Sequence, residues 1–204
     1  MTLAGQTLLA ELDERLPREP ESWRSAALRQ IVDLFVGGAP SYTGEQVALF
    51  DEVIGRLMRD LDRLQLAETS NRLAPVENAP IKALGRLARH PDIAVCGPIL
   101  EQAKALPDAD LVAAADNDRM DAKLLTKIAL RPHLSPAVTD VVLKRGDKAI
   151  QRAIIDNPNA CISEAGFARV IMNISGDKDL AAAIAARDTV PPELRVWLTQ
   201  ALGE

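Results

Sequence analysis

Aromatic side chains are scarce in this sequence. Of 204 residues, Trp23, Phe35, Tyr42, Phe50, Phe167 and Trp197 alone carry an aromatic six-membered ring, 3% of the chain. That removes the platforms on which single-stranded nucleic acid stacks. Positive charge is not in excess either: 24 Lys and Arg face 29 Asp and Glu, for a net charge of −5. A broad nucleic-acid surface needs surplus cations to displace counterions, so that class is disfavoured. No run reaches the roughly 18 to 20 apolar residues of a membrane span. The opening MTLAGQTLLAELDERLPRE lacks a basic leader, and Glu11, Asp13 and Glu14 interrupt its apolar positions, so it does not read as a secretory signal. Cys96 and Cys161 stand far apart with no CxxC pairing, which predicts two small core residues in a reduced, cytoplasmic protein. His90 and His133 have no HExxH motif or Cys/His cluster around them, so neither a metal nor a cofactor is expected. A Gly-rich phosphate loop, a nucleophile elbow and a convincing Ser/His/Asp order are missing as well.

What remains is aliphatic. Hydrophobic residues make up 48% of the chain with Ala and Leu prominent, and both are strong helix formers. The length suits one large domain or two small ones, and the composition predicts an all-α protein. Residues 3–15 carry Leu8, Leu9 and Leu12, with Leu16 following, along one helical face. Residues 22–36 open with Ser22 as N-cap and close at Gly37-Gly38. TGEQ at 43–46 has the form of a capping box. The helix it opens is expected to reach about residue 66, with Val47, Phe50, Ile54, Leu57, Leu61 and Leu64 spaced by threes and fours and widened by Leu49, Val53 and Met58. That seam predicts a helix buried between neighbours. Its alternative is a homodimer through the N-terminal helices, for which fewer than three heptads is thin support.

From about residue 70 one punctuation mark recurs. LARHPDI (87–93), IALRPHL (128–134), IIDNPNA (154–160) and IAARDTV (184–190) align on a stop. Leu87, Ile128, Ile154 and Ile184 stand four residues before the proline position, and the last copy has Asp188 there and delays its prolines to Pro191-Pro192. Proline lacks an N–H and pushes its predecessor out of the α region, so a helix ends and the chain turns. Second helices then start from Ser135-Pro136, from Ser163 and from Pro191 or Pro192, with stripes such as Phe167, Val170, Ile171 and Ile174, or Leu194, Trp197, Leu198, Ala201 and Leu202. Asp108, Asp147 and Asp177 are further caps, and Gly146 serves as the C′ residue after VVLKR. ADLVAAADN at 109–117 supplies an extra helix, and Pro98 is expected to begin a new one.

One such helix pair cannot bury both its faces, whereas stacked pairs can. The pattern therefore predicts an irregular α-solenoid of the HEAT or armadillo kind over residues 68–204, with residues 1–67 as an N-terminal helical region packed on it.

LARHPDIAVCGPILEQAKALPDADLV, then ALRPHLSPAVTDVVLKRGDKAIQRAIIDNPNACISEAGFARV, with ALRQIVDLFV and ALFDEVIGRL upstream, resembles a bacterial family of helical-repeat proteins catalogued as a domain of unknown function. The resemblance spans most of residues 22–200. It implies a helical-repeat fold and brings no activity, cofactor or functional residue with it.

Candidate contact residues follow from the repeat. His90, Arg131, Asn157 and Arg187 share the position before the stop and form a polar ladder if the corners stack in register. The simpler reading is that cations and Asn suit helix ends. LKRGDK at 143–148 concentrates Lys144, Arg145 and Lys148, with Arg152 one turn on. The cluster suits a phosphate or acidic-partner contact, and the simpler reading is a solvated helix end followed by the Asp147 cap. Asp116/Asp118 and Asp177/Asp179 read as caps rather than as acid/base pairs. The functional expectation is a non-enzymatic module that binds a protein partner in bacterial signalling or regulation. The alternative, a nucleic-acid-processing enzyme on a HEAT-like scaffold, suffers from the acidic charge and the few aromatics.

Overall fold

A computed structural model describes residues 3–117, 121–174 and 176–202. Among the described residues it holds thirteen α-helices, two short 3-10 turns and no strand, the nearest approach to one being a single parallel bridge between Leu134 and Ala160. The chain divides into two compact units, Met1–Asp110 and Leu111–Glu204. The position 67/68 suggested by the sequence pattern lies within the first unit, inside one of its helices.

The first unit contains α1 (Leu3–Arg15), α2 (Glu21–Gly38), α3 (Gly44–Leu57), α4 (Arg63–Leu73), α5 (Ile81–Ala88), α6 (Ile93–Gln102) and the start of α7 (Asp108–Ala115). Within it α1, α3 and α5 pack in succession as one row and α2, α4 and α6 as another, with α3 on α2 and α5 on both α4 and α6 joining the rows. The capping box is present: Thr43 N–H donates to Gln46 Oε1 at 2.8 Å and Gln46 N–H to Thr43 Oγ1 at 3.4 Å. Several boundaries differ from the sequence expectation. Pro20, not Ser22, precedes α2, its carbonyl accepting from Trp23 and Arg24 N–H. The helix then runs through Gly37 and Gly38. Gly38 is there for space, because a Cβ would lie 2.5 Å from the Tyr42 hydroxyl. Tyr42 Oη donates to the Leu34 carbonyl, and its ring clusters with those of Phe35 and Phe50.

The single helix expected to reach residue 66 is two. Asp60 adopts φ 59°, a left-handed conformation that a short polar side chain tolerates better than most, and Asp62 then caps α4 by accepting from Gln65 N–H at 2.9 Å. The break ends the seam, leaving Leu61 buried and Leu64 69% exposed. Pro98 does not start a helix but sits inside α6, where buried Val95, Cys96, Ile99 and Leu100 on either side hold the helix together against a cost of about 3 kcal/mol. The N-terminus of α5 has no cap of its own. Asp51, buried on α3, supplies one, its carboxylate accepting from Lys82 N–H at 2.9 Å and Ala83 N–H at 2.8 Å.

The second unit contains α8 (Ala122–Ala129), α9 (Pro136–Arg145), α10 (Lys148–Asp156), α11 (Glu164–Met172), α12 (Lys178–Ala185) and α13 (Pro192–Leu202). Here α8, α10 and α12 pack in succession, and α9, α11 and α13 form the second row. The first helix of each pair opens in the same way. Asp121, Asp147 and Asp177 accept from the N–H of Leu124, Ile150 and Leu180, and those three side chains are buried with Ile128, Ile154 and Ile184. Ser135 and Ser163 cap the second helices and Pro192 opens α13.

Four details depart from expectation. Asp108 is the first residue of α7 rather than its cap. Gly146 closes α9 in extended, not left-handed, backbone; a Cβ there would fall 2.6 Å from Ile150 Cγ2 and 2.8 Å from the Val142 carbonyl oxygen. Trp197 does not join the buried stripe but is 63% exposed beside buried Leu198, while the Ala201 and Leu202 side chains lie outside the described residues. Cys96 is buried as expected, but Cys161 is exposed.

Asp51→Ala orphans two amide groups at a buried helix start. It is expected to lower stability by about 2–3 kcal/mol, read as a shifted urea midpoint at unchanged slope, with Asp51→Asn recovering part of the loss.

Candidate interaction surface

A helix leaves its last carbonyls without internal donors. In the second unit these groups are clasped by side chains from farther along the chain. Arg145 Nη1 donates to the carbonyls of Ala115 and Asn117, at the end of α7. Asn157 Nδ2 donates to those of Ala129 at 3.1 Å and Arg131 at 2.8 Å, at the end of α8. Arg187 Nη1 donates to those of Ile155 at 2.9 Å and Asn157 at 2.7 Å, at the end of α10, and its Nη2 to Ala160 at 2.6 Å. The acceptors are residues i and i+2 each time, so one device recurs at successive corners. Burial pulls the Arg187 guanidinium below the usual arginine range, with the neighbouring Cys161 acting weakly against it.

The ladder position is thus occupied by groups turned into the fold. Arg131 is 6% exposed, while Asn157 and Arg187 are half-buried. His90 is half-buried, and its Nδ1 accepts from Asp92 N–H at 3.1 Å, beside the cap of α6. His133 and Lys144 are exposed, and Arg152 pairs with Asp156 one turn on at 2.7 Å. Arg145 and Arg152 therefore do not share one contact. Asp177 is a cap as read, Asp116 is exposed, and Asp118 lies outside the described residues.

A second feature lies in the first unit and was missed by sequence reasoning. Helices α1 and α2 each pack on α3. The three enclose an apolar cleft of about 410 Å³ to which α1 contributes Leu8 and Leu12. Trp23, Ile31 and Leu34 of α2 and Leu49 and Val53 of α3 form the facing walls. Gln30 is its one side-chain amide, and no ionisable group lines it. Leu8 is 48% and Leu34 58% exposed. The signal was present in α2, which carries a stripe of Ala27, Ile31 and Leu34 in addition to the buried Leu28, Val32 and Phe35. A helix apolar on two faces needs two partners.

Charges gather around the cleft rather than in it. Arg15 lies 5.2 Å over the Trp23 ring and pairs with Glu19 at 3.0 Å. Asp13, Arg56, Glu52 and Lys82 form a chain of ion pairs across α1, α3 and α5. The Lys82 ammonium and then the Arg56 guanidinium hold the Glu52 carboxyl below its ordinary value. Among the described residues no three His, Cys, Asp or Glu side chains gather to hold a metal ion, and no helix is long and apolar enough to cross a membrane.

Arg187→Met removes three hydrogen bonds to carbonyls. It is expected to cost about 2–3 kcal/mol in urea unfolding, with Asn157→Ala costing about 1–2 kcal/mol; losses below about 0.5 kcal/mol would contradict the clasp. Because the Glu52 carboxyl titrates lower in the folded chain, its contribution to stability is present at neutral pH and is lost as pH falls below about 4–5 and through the folded value. Lys82→Met is expected to raise the Glu52 midpoint in an NMR titration and to shrink the acid-side loss of stability.

No curated protein and no solved structure matches the chain. A family model does match, over residues 95–204, a stretch that begins in α6 and includes the three clasped corners of the second unit. The upstream part of the resemblance, residues 22–94, lies outside that match. By this match over more than half its length, the chain belongs to the family described as an uncharacterised protein conserved in bacteria (DUF2336).

Proposed function

We propose that the protein is a non-enzymatic interaction module, each unit built on the principle of HEAT- or armadillo-like helical repeats, that recruits a protein partner in bacterial signalling or regulation. The observation that carries this reading is the cleft of the first unit: about 410 Å³ of apolar space with no ionisable side chain in its lining. Acid–base or nucleophilic chemistry needs a titratable group within hydrogen-bond reach of the reacting atom. Recognition needs apolar area and a shape that stays put. The alternation of two helix rows within each unit supports the repeat reading. In this reading Arg145, Asn157 and Arg187 serve recognition indirectly by keeping successive corners of the second unit in register. Arg131 is buried, His90 and Lys144 stand at helix ends, and Arg152 lies in the middle of α10.

Leu34→Glu places a charge in the cleft from a position already 58% exposed, so the fold is expected to tolerate it within about 0.5 kcal/mol. The expected outcome is that a partner crosslinked and co-purified with the wild-type chain from its own bacterium is lost from the variant at an unchanged melting temperature. A partner retained by Leu34→Glu would exclude the cleft as the contact surface.

A further inference from the structure

We propose that the occupant of the cleft between α1 and α2 is a basic amphipathic helix presented by a partner protein. The inference rests on the interaction reading above and adds the chemistry of the partner. Its first support is the backbone. All three walls are helices, whose N–H and C=O groups are already bonded within themselves. An extended peptide would lay its own unpaired groups against leucine, isoleucine and valine, with Gln30 the one amide to meet them. A helix arrives with its backbone satisfied and needs from the wall only apolar contact.

Dimensions agree. The α2 wall runs from Trp23 to Leu34, which at 1.5 Å per residue is about 16 Å, or three helical turns. Along it Trp23, Ala27, Ile31 and Leu34 follow one another at intervals of three and four, as Leu49, Val53 and Leu57 do at intervals of four on α3. Such ridges accept the side chains of a crossing helix between them.

Charge decides the sign of the partner. Residues 3–57, which build the cleft, carry nine Asp and Glu against five Arg, a net of −4 out of −5 for the whole chain. Two of the cations nearest the cleft are engaged, Arg15 with Glu19 and Trp23, and Arg56 with Asp13 and Glu52. Glu11 and Glu14 are exposed on α1 and make no ion pair among the described residues. A helix whose polar face carries Lys and Arg meets this field favourably. A second copy of the chain would set the same excess of carboxylates against itself, which disfavours self-association through these helices.

The test uses the full chain and two labelled synthetic helices that share one leucine stripe, with a polar face of Lys in one and of Glu in the other. A third repeats the Lys peptide with proline at its centre. Fluorescence anisotropy is expected to show the Lys peptide bound at least about tenfold more tightly than the Glu peptide at low salt, with the gap narrowing as salt rises. The proline peptide and the Leu34→Glu variant should each lose the binding, and Glu11→Lys with Glu14→Lys should erase the preference without changing the circular dichroism spectrum. Equal binding of both charged peptides would overturn the inference, as would preference for the Glu peptide or binding untouched by Leu34→Glu. So would a cleft filled only by a lipophilic dye, or by a second copy seen as a dimer in sedimentation. Any of these results leaves the loss of a crosslinked partner in Leu34→Glu to stand or fall separately.

Discussion

Carbonyl groups stranded at the ends of short helices constrain this molecule more than any other feature. Each proline stop cuts a helix after about two turns, and a helix that short has no length to spare for fraying. Its last carbonyls need donors, and its apolar face needs a cover. Both come from the next pair along the chain. Ile128, Ile154 and Ile184 bury their side chains in the row of first helices, while Asn157 and Arg187 reach back to the corner before their own. Packing and hydrogen bonding thus point to the same neighbour. A side chain that clasps residues i and i+2 fixes the distance between corners more sharply than apolar contact does, because hydrogen bonds weaken steeply once distance and angle depart from their narrow range.

The same logic runs differently in the first unit. There Asp51 of α3 reaches the start of α5, so a donor-rich helix end is satisfied by a carboxylate from the adjacent element of its row. The ion-pair chain through Asp13, Arg56, Glu52 and Lys82 crosses the same row at its surface, where solvent screens it and its contribution is small. What is left without a cover is the outer stripe of α2. In a stack of helix pairs an uncovered apolar stripe is where a further helix fits, and this is why a recognition role is read from the first unit rather than from the corners.

How much of this was legible beforehand depends on how local each cause is. The helical class, the proline stops, the capping box at Thr43 and the Asp and Ser caps at 135, 147, 163 and 177 all follow from chemistry within a few residues, and each is in place. Features set by distant partners were not legible. Gly38 is explained by the ring of Tyr42, the continuity of α6 through Pro98 by burial on both of its faces, and the exposure of Trp197 by the side of α13 that its neighbours cover. The break at Asp60 hid inside an unbroken apolar rhythm. Of the candidate residues, the sequence aligned His90, Arg131, Asn157 and Arg187 at one repeat position, and the structure bonds Asn157 and Arg187 inward. The cleft was hidden because periodicity identifies an apolar stripe without saying whether a neighbour covers it.

Consecutive helix pairs of the second unit are then stabilised together and not one by one. Native-state hydrogen exchange on the Asn157→Ala chain tests this most directly. Since Asn157 ties α10 to the end of α8, the amides of both helices are expected to exchange faster, and by similar factors, than in the wild-type chain. Faster exchange confined to the loop around residues 157–163, with α8 as protected as before, would contradict it.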